Sequence, residues 1–89
     1  MMLCPEAKLD LPAAGALHAA LRAADPATVC VDMSQVTHLG ALCVQVLMVA
    51  ARSRIAAGGG LSMINTTDRV LDQLRLMGLT PETIAKGGL

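Results

Sequence analysis

The chain has 89 residues, 54% of them apolar and 16% charged, with no Phe, Trp or Tyr. Seven Lys and Arg balance seven Asp and Glu, so the formal net charge is zero. A chain of this length makes one small domain, near the size where a single core barely suffices. The apolar content excludes disorder, the even charge gives no electrostatic basis for nucleic-acid binding, and without aromatics there is no platform for base stacking.

Met1-Met2-Leu3-Cys4 lacks the basic and apolar regions of a signal peptide. Leu3 to Leu9 has room for one short strand, and Pro5 makes it an edge or partial strand. Asp10-Leu11-Pro12 reads as a helix start, with Asp10 capping free N–H groups and Pro12 accepted in the first turn. Leu17, Leu21 and Ala24 then follow at helical spacing, while His18, Arg22 and Asp25 fall on a polar face. Asp25-Pro26 ends this helix, because a residue before proline avoids the helical region.

Thr28-Val29-Cys30-Val31 is short and apolar on both faces, the pattern of a parallel strand covered on both sides. A long second helix is predicted from about Gly40 to Ala57, closed by Gly58-Gly59-Gly60, which can supply a left-handed cap. The longest nearly apolar stretch, Leu39 to Ala51, is interrupted by Gln45 and falls well short of the roughly 20 residues that cross a bilayer. Leu61 to Ile64 is the next strand, and Asn65-Thr66-Thr67-Asp68 is rich in capping side chains. Val70, Leu74 and Met77 form a helical stripe that Gly78 closes, and Thr80-Pro81-Glu82 starts a last short turn. Strands alternating with helices imply a small, mostly parallel α/β sheet with right-handed crossovers. Residues 1–89 are read as one domain.

The three cysteines, Cys4, Cys30 and Cys43, have neither disulfide-scaffold numbers nor metal-ligand spacing. Cys30 and Cys43 lie in apolar runs and read as small buried hydrophobes. No metal or cofactor is expected, and the chain reads as soluble, reduced and cytoplasmic, without membrane insertion.

In open parallel sheets, sites gather beyond the carboxyl ends of the strands. Two segments qualify, Asp32 to Gly40 and Asn65 to Asp68. If their strands are neighbours, Ser34, Thr37, His38, Asn65, Thr66 and Thr67 share one rim. The second helix is apolar nearly all round, which calls for cover on nearly all sides. Flanking helices are the plain explanation. The sharper one is an exposed strip of Val44, Met48 and Ile55 for a partner, and a homodimer would use such a strip equally well.

From Val29 to Leu79 the chain resembles a STAS domain, the fold of bacterial anti-sigma-factor antagonists. The carrying residues are Val29-Cys30-Val31-Asp32-Met33-Ser34, Gly40 opening a long apolar helix, Ala57-Gly58-Gly59-Gly60 before a strand, and Val70 to Gly78 with Leu79. Phosphorylated members carry Asp-Ser-Ser-Gly at the start of the second helix, with the serine before the glycine as acceptor. Here Thr37-His38-Leu39-Gly40 stands in that place. The acceptor position is then Leu39, which cannot be phosphorylated, and Thr37 is the substitute hydroxyl. The family's N-terminal hairpin would be shortened. A closer likeness is to compact STAS proteins encoded beside chemotaxis genes.

The plain readings of these residues are a turn or cap for Thr37, an ordinary loop histidine for His38, a turn hydrogen bond for Ser34, and a core residue for Leu39. The resemblance implies a non-enzymatic signalling adaptor. Its partner surface would comprise Ser34, Thr37, His38, Leu39, Gly40, Val44, Met48, Asn65 and Thr66. Its partner would be an anti-sigma kinase-like or chemotaxis protein. The alternative is a STAS subunit docked on the ATPase of a membrane lipid-transport complex. No paired carboxylates or nucleophile constellation suggest an enzyme.

Overall fold

The computed structural model describes residues 2–5, 7–23 and 28–88. The predicted end of the first helix at Asp25-Pro26 lies outside them. Five short strands and four helices follow in order: β1 (Met2–Leu3), β2 (Lys8–Leu9), α1 (Ala14–Ala23), β3 (Thr28–Asp32), β4 (His38–Leu39), α2 (Ala41–Ala56), β5 (Gly60–Ile64), α3 (Asp68–Leu76) and α4 (Pro81–Ala85). Every strand pairing among the described residues is parallel, as alternating strands and helices require. The expected α/β architecture is therefore present.

Two features of the sheet differ from expectation. The N-terminal segment holds two strands rather than one, and they form no hairpin. β1 joins a three-stranded sheet in the order β1-β3-β5, while β2 pairs with β4 in a separate two-stranded sheet. The second difference concerns β3. Val29 and Val31 are fully buried, but Cys30 is only half-buried. Its register neighbours are Met2 on β1 and Ser62 on β5, both exposed. Only one face of the sheet is thus packed. Side chains alternate across a strand, so Val29, Val31 and Leu61 fill the core while the row Met2–Cys30–Ser62 is left open. An unbroken apolar run does not distinguish these two faces.

The core continues from this packed face into α2 through Cys43, Val44, Leu47 and Ala51, and into α3 and α4 through Val70, Leu74 and Ile84. The buried positions on α2 follow the helical repeat, so the core side of this uniformly apolar helix is chosen by packing rather than by composition. Helix α1 lies beside α2 and runs in the same direction. At one end Cys43 Sγ lies 3.4 Å from the Asp10 carbonyl, and at the other the Arg54 guanidinium donates to the Leu21 carbonyl at 2.7 Å.

Helix ends are set by local chemistry. Thr67 caps α3, its hydroxyl accepting the Val70 N–H at 3.4 Å, and Thr80 caps α4 through the Thr83 N–H at 3.1 Å. Gly58 (φ 86°) and Gly78 (φ 73°) close α2 and α3 in the left-handed conformation that side chains resist. Asp10 precedes a single 3-10 turn, Leu11–Ala13, and makes no side-chain cap. The expected Asp10 cap is therefore replaced by a backbone bond from the Ala13 N–H to the Asp10 carbonyl, at 3.0 Å.

Candidate functional site

Beyond the carboxyl end of β3, Asp32 organises the turn. One carboxylate oxygen accepts the Ser34 N–H at 3.0 Å and Asn65 Nδ2 at 3.3 Å. The Ser34 hydrogen bonds foremost, with help from Asn65 and Cys4, hold its carboxyl below the ordinary aspartate value. Asn65 itself takes a left-handed backbone (φ 55°), which asparagine tolerates better than most residues. The β3 and β5 loops are thereby tied together, as expected for neighbouring strands.

The next segment is pinned from both sides. Ala7 on the N-terminal segment accepts the Thr37 N–H at 2.8 Å, the His38 N–H at 3.2 Å and the Thr37 hydroxyl at 3.2 Å, and the Leu9 carbonyl accepts the Gly40 N–H at 2.8 Å. From the other side, Thr67 donates its hydroxyl to the Val36 carbonyl at 3.1 Å. Gln73 of α3 closes the free edge of β4. Its Oε1 accepts the Leu39 N–H at 2.8 Å and its Nε2 donates to the Thr37 carbonyl at 3.4 Å. The primary amide thus offers the donor and acceptor that a further parallel strand would supply.

This framework leaves Thr37 and His38 exposed. They border an open depression of about 600 Å³ together with Lys8, Asp10, Arg69 and Gln73. Two cations and one carboxylate therefore line the depression that Thr37 borders. The cap position of α2 is Gly40, where a Cβ would stand 3.2 Å from the Leu9 carbonyl and 3.8 Å from His38 Nε2. Glycine fits this tight junction of β2 and β4. No cluster of metal-ligating side chains occurs among the described residues.

The predicted rim is assembled, but its predicted membership changes. Ser34, Thr37, His38 and Asn65 are exposed and Thr66 is half-buried around the joined loops. Leu39 is 1% exposed and Val44 2%. Both fill the core, because the strand alternation turns Leu39 inward and Val44 lies on the packed side of α2. Neither side chain can meet a partner, and Leu39 is a buried strand residue rather than a surface acceptor position. Met48 is half-buried under the C-terminal turn. There a Cβ on Gly88 would come within 2.9 Å of its sulfur, and Arg52 Nε donates to the Gly87 carbonyl at 2.6 Å. The exposed strip of α2 is instead Leu42 and Val49, with half-buried Val46, while Ile55 is exposed as expected.

Lys8, Arg69 and Gln73 join the rim without having been predicted there. Nothing in the sequence brings Lys8 next to His38, since their pairing depends on a two-residue parallel register. Arg69 had a signal, its place in the first turn of the helix after the rim loop.

A parallel sheet with this loop cluster at the mouth of α2 defines a small α/β binding domain. The family described as Mlab, STAS domain, matches residues 6–84, and the chain belongs to this STAS family. The crystal structure of a sulfate transporter family protein from Wolinella succinogenes is similar, with a TM-score of 0.71 and 19% identity over 86% of this chain. The chain spans 65% of the length of that neighbour. No curated protein matches it. STAS domains act in general as protein-interaction and regulatory modules. No helix is long and apolar enough to cross a membrane among the described residues.

Proposed function

We propose that this chain is a non-enzymatic adaptor that docks on a partner protein through the rim of Ser34, Thr37, His38, Asn65 and Thr66, extended by Lys8 and Arg69. The observation that carries the reading is the contrast between backbone and side chains at Thr37 and His38. Their backbone is held by Ala7 and Gln73, and the Ala7 carbonyl also fixes the Thr37 hydroxyl, yet both side chains remain exposed to solvent. A pre-organised polar surface of this kind loses little ordering entropy on binding. The partner is a component of a membrane transport assembly, such as its ATPase. The transporter context of the structural neighbour supports this choice.

The likeness to anti-sigma-factor antagonists supports a second reading, with a regulatory kinase or chemotaxis protein as partner. Its specific support is that exposed Thr37 lines one depression with Lys8 and Arg69, cations that would stabilise a phosphoryl group in it.

Affinity capture from native extract, with wild type beside Arg69→Glu and His38→Ala, tests both. We expect a partner retained by wild type and lost from the variants. A transporter component supports the first reading and a kinase or receptor the second. Identical partner sets for all three proteins would remove the rim from consideration. An unchanged intact mass after incubation with a captured kinase and ATP would eliminate phosphorylation at Thr37.

A further inference from the structure

The side-by-side helices α1 and α2 leave an open groove of about 620 Å³ between them. Leu42, Val46 and Val49 form its apolar wall, with Leu42 41% and Val49 60% exposed. The charged residues that line it are Arg22 and Arg54, with His18 one turn away, and no carboxylate lines it among the described residues. Arg54 is 6% exposed. Its guanidinium meets only carbonyl oxygens among the described residues, those of Leu21 at 2.7 Å and Ala50 at 3.4 Å, and its Nε has no partner.

Both arginines sit in the last turns of their helices. Each helix C-terminus carries about half a negative charge, which Arg54 meets at α1 through the Leu21 carbonyl while also reaching the Ala50 carbonyl. Arg22 adds a second guanidinium to the same end of the groove, so the described lining there is net positive. The charge of buried Arg54 is weakly screened by water, while Arg22 stands exposed beside it. From Leu42 to Arg54 the groove follows α2 for roughly 18 Å at the helical rise. Its apolar residues stand at i, i+4 and i+7, the spacing that receives an opposing helix.

We propose that the α1–α2 groove receives an amphipathic helix of a partner protein, apolar along one face and acidic at the end that reaches Arg22 and Arg54. A second copy of this chain is the poorer occupant, because its own groove brings the same cations. The wall is open along its length, whereas small amphiphiles are held in sites that enclose most of their surface. This surface is distinct from the rim and does not rest on the rim being a partner site.

The test uses the full chain and a fluorescent synthetic helix of about 16 residues, with leucines at i, i+4, i+7 and i+11 and a glutamate pair at one end. Fluorescence anisotropy should show saturable binding. Arg22→Glu and Val49→Asp, both exposed positions whose folding circular dichroism verifies, should each weaken it about tenfold, as should lysines replacing the peptide glutamates. His38→Ala should bind as wild type. Equal binding by Arg22→Glu, or equal binding of the lysine peptide, would overturn the proposal. So would loss of binding by His38→Ala, which would return the peptide to the rim. Arg22-dependent binding of sodium dodecanoate without binding of the peptide would assign the groove to a small amphiphile and equally refute it.

Discussion

Gln73 offers the sharpest test of how the rim is held. Its amide completes the outer edge of β4, accepting the Leu39 N–H at 2.8 Å and donating to the Thr37 carbonyl at 3.4 Å. Gln73→Leu keeps the bulk over β4 but removes both partners. The first bond is short and part-buried, and the second is long and exposed, so the cost falls mainly on the Leu39 N–H. Leaving such a donor unsatisfied costs about 1–3 kcal/mol, and partial access of water places this case near 1–2 kcal/mol. Leu and Gln differ little in helix propensity, so the loss is assigned to the edge. For a domain of this size it corresponds to a fall in Tm of roughly 5–15 °C. Gln73→Ala admits water to the same N–H and should cost less, an order opposite to simple hydrophobicity. Thermal melts and amide hydrogen exchange at Leu39 provide the assays. An unchanged Tm for Gln73→Leu, with undiminished Leu39 protection, would show that β4 does not depend on this side chain.

Other consequences follow from the loop cluster. Thr67→Ala removes both the α3 cap and the bond to the Val36 carbonyl, and urea unfolding should show a loss of about 0.5–2 kcal/mol with an unchanged m value. Asp32 has its carboxyl held below the ordinary value by Ser34, Asn65 and Cys4. Its contribution is therefore fully present above the unfolded-state value and is lost as pH falls through the folded-state value. Wild type should melt above Asp32→Asn by a constant margin near neutrality, and the two should converge in acid. A margin independent of pH would remove the carboxylate from this role.

The helices were legible because their ends carry chemistry. Thr67, Thr80, Gly58 and Gly78 act where the capping rules place them. Asp10 was misread because the chain enters α1 through a 3-10 turn that satisfies its own backbone. Strands shorter than three residues were not legible. Met2–Leu3 and Lys8–Leu9 are too brief for any period, and His38-Leu39-Gly40 carries no strand signal. They become strands because β3 and the Ala7 and Leu9 carbonyls complete their ladders. The adjacency of the two rim loops was deducible from topology. Their composition was not, since Leu39 and Val44 have the same apolar character as exposed Leu42 and Val49. On a helix apolar all round, only the packed neighbours decide which residues face out.

That ambiguity bears on how tightly the domain can bind. With no Phe, Trp or Tyr in the chain, the usual interface anchors are absent. The exposed apolar strip of α2 offers mainly Leu42 and Val49, which are 41% and 60% exposed. Completing the burial of two partly exposed aliphatic side chains yields roughly 2–3 kcal/mol. Association costs at least about 4 kcal/mol in lost freedom before any contact is counted. Apolar burial on α2 therefore cannot hold a partner alone. Charge at Arg22 and Arg54 must supply the difference at the groove, so affinity there should depend on salt and on the partner's acidic groups. An adaptor built this way favours release and exchange, because a change in one charged contact shifts a balance that aliphatic packing leaves nearly even.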